Sequence, residues 1–247
     1  MSDHSRIEWT DATWNPVTGC TPISAGCRNC YALRMARRLQ AMGKPAYARG
    51  PRVTEHPEAL EWPLERRWRS PHRVFVCSMS DLFHPEVSDR FIERVIDVIA
   101  RDQFDDFLIL TKRPERARLF FGTGYPPPPN VWLGVTVENE AALDRIDQLL
   151  QVPAAVRFLS LEPLLERVDL AERLDGIDWV IVGGETGPGR RPMDPGWPRL
   201  VRDQCRAAHL PFFFKRWGHL RSGAPGEHEL DGVTYHQWPR PRGGRDR

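Results

Sequence analysis

The chain has 247 residues, 40% of them hydrophobic and 28% charged, with a formal net charge of +2. That length can bury most of its apolar surface in one core, the net charge is too small to argue for nucleic acid by bulk electrostatics, and no apolar run approaches the roughly 20 residues that span a bilayer. The polar stretch from Met1 to Trp9 lacks a signal-peptide core, so a cytoplasmic, reducing setting is expected.

In chain order, Ala12 to Thr18 reads as a first strand that leads directly into a cysteine loop. Tyr31 to Met42 reads as the first helix, with Leu33, Ala36 and Leu39 inward. Residues 43–72, rich in Pro, Arg and Trp, read as a long connection or insertion. Further strands are expected at 73–78, 107–111, 131–136, 156–160, 179–182 and 211–215. These are continuous apolar runs, the pattern of strands covered on both faces. Helices are expected at 89–101, 139–150 and 195–209; the first has Ser88 as a candidate N-cap and Phe91, Ile92, Val95, Ile96 and Ile99 at helical spacing. Residues 122–130 form a stiff proline-rich loop. A single domain over 1–219 is expected, followed by an irregular basic tail over 220–247.

Strands alternating with helices imply a parallel sheet with right-handed crossovers. Six or seven βα units suit an α/β fold of the partial (β/α)6-type TIM-like barrel class, with the cysteine loop after the first strand. An open doubly wound sheet fits the same periodicity.

Five cysteines occur, Cys20, Cys27, Cys30, Cys77 and Cys205. An odd count in a reducing setting argues against a disulfide framework and for a metal or cluster site. The first three form a C-x6-C-x2-C pattern. Three thiolates can hold three irons of a cubane cluster and leave the fourth open to a small chelating ligand. Gly19 and Gly26 permit a tight loop, and Tyr31 is positioned to shield it. A structural zinc site shares the C-x2-C pair but needs a fourth ligand from Cys77, Cys205 or a distant histidine. Spacing alone leaves both readings open. Strand alternation turns Cys77 away from Ser78 into the core, and Cys205 on its helix also reads as packing.

The predicted strand ends are polar. They carry Ser78, Ser80 and Asp81; Lys112; Thr136 and Glu138; Ser160 and Glu162; Gly183, Gly184 and Glu185; and Lys215. One such end is an ordinary helix cap, and each charge alone reads equally well as a surface ion-pair partner. Six ends on one rim of a barrel suggest a site for a polar, charged ligand. Two of the chain's three lysines, Lys112 and Lys215, fall there, in a sequence that uses arginine for nearly every other cation.

Segments 7–20 (IEWTDATWNPVTGC), 78–84 (SMSDLFH), 110–114 (LTKRP), 133–139 (LGVTVEN), 157–163 (RFLSLEP), 180–185 (VIVGGE) and 213–218 (FFKRWG), with Cys27 and Cys30, carry a resemblance. They resemble a phage-associated radical-SAM-like protein family related to spore photoproduct lyase. The six-residue first gap is longer than the usual radical-SAM spacing of three. The resemblance implies a partial barrel, a [4Fe–4S] cluster on Cys20, Cys27 and Cys30, and S-adenosylmethionine as second cofactor. It implies that Ser78, Ser80 and Asp81 meet the methionyl amino group, Lys112 the carboxylate, and Thr136 and Glu138 the ribose. Ser160 and Glu162 then reach the ribose or substrate. Gly183 and Gly184 admit the adenine or substrate, Glu185 supplies an acceptor, and Lys215 and Trp217 close the ring. The implied reaction cleaves S-adenosylmethionine reductively to a 5′-deoxyadenosyl radical. The implied partners are a nucleic-acid base as substrate and an electron donor such as flavodoxin or ferredoxin. The competing reading is a non-catalytic nucleic-acid-binding protein, or a partner protein of a phage or defence system, with a structural zinc or iron–sulfur site.

Overall fold

The computed structural model describes residues 2–5, 7–66, 68, 70–218 and 223–239. Its centre is a curled sheet of seven parallel strands. In sheet order these are β1 (Ala12–Trp14), β4 (Arg73–Val76), β5 (Asp106–Thr111), β6 (Val131–Thr136), β7 (Val156–Leu161), β8 (Trp179–Gly183) and β9 (Phe212–Arg216). This is the expected half-barrel. The order follows the chain without reversal, which curls the sheet and excludes the doubly wound alternative.

The continuous apolar runs resolve into two sets by the period-2 rule. One phase (Val74, Val76, Phe107, Ile109, Leu133, Leu159, Val180, Val182, Phe214) packs outward under the helices. The other (Phe75, Leu108, Trp132, Phe158, Ile181, Phe213) fills the lumen together with Trp9 and Trp179. Trp9 comes from the segment before β1, and its ring lies 4.8 Å from Phe75 and 6.1 Å from Phe158. Fully burying such side chains contributes roughly 1.5–3 kcal/mol each.

The helices are α1 (Tyr31–Ala41), α2 (Asp89–Arg101), α3 (Pro114–Gly122), α4 (Asp144–Leu150) and α5 (Gly196–Ala207). In α2 the Ser88 hydroxyl caps the Phe91 amide, as its sequence suggests. The expected helix over 139–150 divides into a 3-10 turn, Glu140–Ala142, and α4. α3 is an element that hydrophobic periodicity does not reveal. Its signal is Pro114 at the first position, where a missing N–H costs nothing.

The expected first strand also divides. Pro16, with no amide to donate, separates β1 from β2 (Val17–Thr18), which pairs antiparallel with β3 (Thr54–Glu55). Residues 43–72 thus return to the cysteine loop. At the other end, β10 (Glu229–Leu230) and β11 (Val233–Thr234) form a hairpin around Asp231 and Gly232, both at positive φ as a two-residue turn requires. The chain then runs antiparallel to the edge strand β9, with the Phe214 amide donating to the Tyr235 carbonyl at 2.8 Å. The basic tail over 240–247 and residues 219–222 lie outside the described residues. Among the described residues no helix is long and apolar enough to cross a membrane.

Candidate functional site

The lumen phase continues upward past the apolar layers. Leu108 and Leu110 lead to Lys112, Trp132 leads to Thr136, Phe158 to Ser160 and Glu162, and Phe213 to Lys215. These ends line a cavity of about 230 Å3 whose apolar lining includes Ile7, Trp9, Phe75 and Leu110. Cys20, Cys27 and Cys30 line the same cavity. All three are unbridged and half-buried.

Two carboxylates fasten the cysteine loop over the strand ends. Glu138 is fully buried and accepts hydrogen bonds from the Ser24 hydroxyl and, at 3.3 Å, from the Gly26 amide. Its other oxygen accepts from Arg145 at 2.7 Å. Burial opposes ionisation of Glu138, but Lys112, Ser24 and Arg145 outweigh it and lower the pKa. Glu185 accepts from Asn29 Nδ2 at 2.9 Å and from the Arg191 amide at 2.8 Å, and pairs with the Arg191 guanidinium. Burial again opposes ionisation, yet Arg191 and Asn29 hold this carboxyl down at about 2. Arg191 also donates to the Ala25 carbonyl at 3.0 Å, and the Tyr31 hydroxyl donates to the Ser78 carbonyl. Gly19 is required by its surroundings: φ is +82°, and a Cβ there would lie 2.2 Å from the Arg52 carbonyl oxygen.

The end of β4 is fixed in the same way. Asn15 Oδ1 accepts from the Ser78 hydroxyl and the Met79 amide, each at 3.1 Å. The Ser80 hydroxyl donates to the Val17 carbonyl at 2.8 Å. Asp81 accepts from the Thr111 hydroxyl at 2.8 Å, the Lys112 amide at 3.1 Å and Arg113 at 3.0 Å. These three side chains line the cavity with their hydrogen-bonding capacity already engaged in loop architecture.

Three other groups in the cavity, on Lys112, Ser160 and Trp9, have no such partner among the described residues. The Lys112 ammonium has no hydrogen-bond or ion-pair partner among the described residues, while its charge lowers the pKa of both Glu138 and Cys27. Among the described residues the fully buried Ser160 hydroxyl has no partner, and neither has the buried Trp9 indole N–H. Glu162 and Lys215 form an ion pair at the ends of β7 and β9, with Glu8 Oε2 4.0 Å from the Lys215 ammonium. A buried polar group with no protein partner costs about 1–3 kcal/mol, so a cavity holding several is built to be filled.

Every site residue singled out from the strand ends of the sequence lines the cavity except Glu138, Gly183 and Trp217. Glu138 lies beyond the last lumen-phase residue of β6 and turns to the cysteine loop instead. Gly184 lines the wall, but what requires glycine there is the chain itself, because a Cβ would lie 2.0 Å from the Trp217 carbonyl oxygen. Trp217 packs on Phe214 and donates its indole N–H to the Glu229 carbonyl at 2.8 Å. Cys77 belongs to the core yet also reaches the cavity wall. Strand alternation lapses there, since β4 ends at Val76 and Cys77 has φ of +62°. Cys205 is buried in the core. Burial pushes both thiols up to about 12. Asn15, Asn29, Arg113 and Arg191 are site residues that sequence reasoning missed. Only Asn29, inside the C-x2-C pair, and Arg113, beside Lys112, carry a local signal.

The donor set fits a cluster. Ser24 Oγ and Arg113 Nη1 each lie 3.7 Å from a cysteine sulfur, Cys27 and Cys20 respectively. Burial opposes ionisation of Cys27, but the Ile23–Ser24 backbone and the Ser24 hydroxyl lower its pKa. Burial raises that of Cys20, with Arg113 opposing. Among the described residues no three His, Cys, Asp or Glu side chains converge on a single-ion site. A cubane asks for something different, one thiolate on each of three irons.

Residues 4–239 match the model of the family described as Protein of unknown function (DUF5131), and the chain belongs to that family. No curated protein matches the sequence. Among solved structures, a cysteine-to-serine mutant of spore photoproduct lyase superposes with a TM-score of 0.53 at 13% identity, covering 83% of this chain and 63% of that one. A double mutant of the same lyase, with bound AdoMet and dinucleoside spore photoproduct, gives a TM-score of 0.46 at 12% identity over 81% of this chain and 64% of that one. The chain therefore spans less than two thirds of the length of these lyases. The likeness is one of fold, a half-barrel of parallel strands.

Proposed function

We propose that this member of the DUF5131 family holds a [4Fe–4S] cluster on Cys20, Cys27 and Cys30 and binds S-adenosylmethionine in the adjoining cavity. When bound, the two would supply reductive cleavage of S-adenosylmethionine and a 5′-deoxyadenosyl radical for reaction with a substrate. The observation that carries this reading is the unpaired Lys112 ammonium in the cavity lined by the three free thiols.

Lys112 is suited to hold a ligand carboxylate as a point charge. Ser160 and Trp9 offer the buried donors that a ligand with acceptor atoms would satisfy. Thr136 adds a hydroxyl on the same wall. The segment from Ser78 to Asp81 forms the wall beside Lys112, with its side chains, the Ser78 carbonyl and the Met79 amide engaged within the protein. Gly183 and Gly184 leave the end of β8 free of side chain, and the Glu162–Lys215 pair offers an acceptor and a donor side by side. Glu138 and Glu185 act through the loop, setting where the thiols stand. The apolar lining excludes water from the reacting region. The reading includes an external electron donor of the flavodoxin or ferredoxin kind.

Anaerobic reconstitution followed by iron and sulfide analysis tests the cluster, and EPR of the reduced protein tests the second cofactor. The reading expects about four irons and as many sulfides per chain, with a reduced signal that changes when S-adenosylmethionine is added. A protein that takes up zinc and no sulfide, or a signal indifferent to S-adenosylmethionine, overturns it.

A further inference from the structure

Between Ala12 and Thr54 the chain contains no acidic residue, while 33 Asp and Glu lie elsewhere. The same stretch carries seven cations: Arg28, Arg34, Arg37, Arg38, Lys44, Arg49 and Arg52. All seven are exposed. None forms an ion pair among the described residues, whereas Arg113, Arg145, Arg191 and Arg216 all do. The remaining 28 cations are outnumbered by the 33 acids, so the net charge of +2 conceals one strongly positive region on an otherwise negative chain.

An apolar stripe runs through this charge. Tyr31, Met35, Arg38 and Met42 recur at i, i+4, i+7 and i+11, one face of α1 and its C-cap. Tyr31, Met35 and Met42 are 49%, 40% and 57% exposed. The opposite face buries only Ala32 and Ala36. Residues 44–52 pack on the other side of α1, where Gln40 Nε2 donates to the Ala48 carbonyl at 3.2 Å, so the cations nearest the stripe are those of α1 itself, Arg34, Arg37 and Arg38. The stripe begins at Tyr31, which lines the cavity beside Cys30.

We propose that this face is the docking track of a single-stranded nucleic acid. Its phosphates lie on the arginines, its bases on Tyr31, Met35 and Met42, and one base enters the cavity over Trp9 and Phe75. Exposed cations that form no ion pair among the described residues, in a stretch of sequence without an acid, call for a polyanion. A stripe of aromatic and soft apolar side chains leading into a cavity with aromatic lining calls for a polymer with planar side groups. A duplex keeps those groups stacked inside, out of reach of both. An acidic protein would satisfy the charge but leave the continuation into the cavity without an occupant. Entry of a base rests on the proposed function; docking of the strand does not.

The test is fluorescence anisotropy with a labelled DNA single strand of about 20 nucleotides and its duplex, on cluster-free protein, across roughly 50 to 300 mM salt. The single strand should bind about tenfold more tightly than the duplex, and more weakly as salt rises. R37E/R38E should lose about tenfold or more in affinity and lower the log–log salt slope by about two. M35S should weaken binding several-fold with the slope unchanged. R90E/R94E, a matched charge reversal on α2, should stay within about twofold. Thermal melts verify that the variants fold, since all these side chains are exposed. Equal losses in the two double variants overturn the proposal. So does absence of binding by the wild type at low salt, which leaves the face to an acidic protein. Strand binding without S-adenosylmethionine cleavage overturns the proposed function alone, and the reverse pattern overturns the docking track alone.

Discussion

Gly26 and Glu138 meet where the cysteine loop crosses the end of β6: the Gly26 amide donates to Glu138 Oε1 at 3.3 Å, and a Cβ on residue 26 would lie 2.9 Å from that oxygen. A fully buried carboxylate, itself held by Arg145, therefore sets the height of the loop that carries Cys27. Removing one partner of a buried ion pair costs about 3–5 kcal/mol, because the other charge is left unpaired. Glu138→Ala should lower the unfolding free energy by about that amount. Gly26→Ala should leave the fold close to intact but displace the loop. Iron retained after anaerobic reconstitution, read against urea midpoints, separates the two effects. Full iron retention in Gly26→Ala would count against the loop-positioning role.

Lys112 is the cavity-lining cation with no side-chain partner among the described residues, and its value to the protein lies in a ligand. A hydrogen bond to a charged group contributes about 1.5–3 kcal/mol. Lys112→Met should weaken S-adenosylmethionine binding roughly 10- to 100-fold, and Lys112→Arg should recover part of it. Calorimetric titration of the reconstituted protein reads the difference. An unchanged Kd in Lys112→Met removes the carboxylate assignment.

Ser160 offers a sharper discrimination, because its hydroxyl is buried and unsatisfied. Ser160→Ala should stabilise the ligand-free protein by up to about 1 kcal/mol, since an unpaired buried polar group is removed. The same change should weaken ligand binding several-fold. Opposite signs in the melt and the titration are expected. A loss of stability in the ligand-free protein would mean that the hydroxyl has a structural partner.

The pH dependence follows from Glu185, whose carboxyl is held at about 2 rather than 4.5. A group whose folded pKa is depressed contributes its stability fully above 4.5 and loses it as the pH falls from there toward 2. The contribution is on the order of 2–3 kcal/mol. Asp105 works the other way, burial having raised its pKa from 3.8 to about 6, so stability rises as pH falls through that interval. Urea midpoints between pH 5 and 2 should therefore fall more steeply in wild type than in Glu185→Gln. Parallel curves would show that the Asn29–Glu185–Arg191 contacts do not stabilise the fold.

Much of this was legible in the sequence where the chemistry is local. The seven-strand half-barrel follows from apolar runs alternating with amphipathic helices, and the period-2 rule selects Lys112, Thr136, Ser160 and Lys215 as cavity-facing because each is in phase with a lumen residue. Glu138 and Glu185 stand beyond the strands, where that phase lapses. Their partners Gly26 and Asn29 lie more than 100 residues away in the chain, and no local pattern announces them. Ser78, Ser80 and Asp81 show the converse. They sit where a ligand would be expected, but Asn15, Val17 and Thr111 engage them first. α3 was hidden by its weak amphipathicity, and β2 and β3 by their two-residue length.

The most direct test is 5′-deoxyadenosine formation when the anaerobically reconstituted, reduced protein is given S-adenosylmethionine, with Cys27→Ala and Lys112→Met alongside. The cluster-and-cavity account predicts 5′-deoxyadenosine from wild type, none from Cys27→Ala, and a reduced yield from Lys112→Met that recovers at high S-adenosylmethionine. Wild-type protein with a full cluster that forms no 5′-deoxyadenosine, or Cys27→Ala that forms as much as wild type, would contradict it.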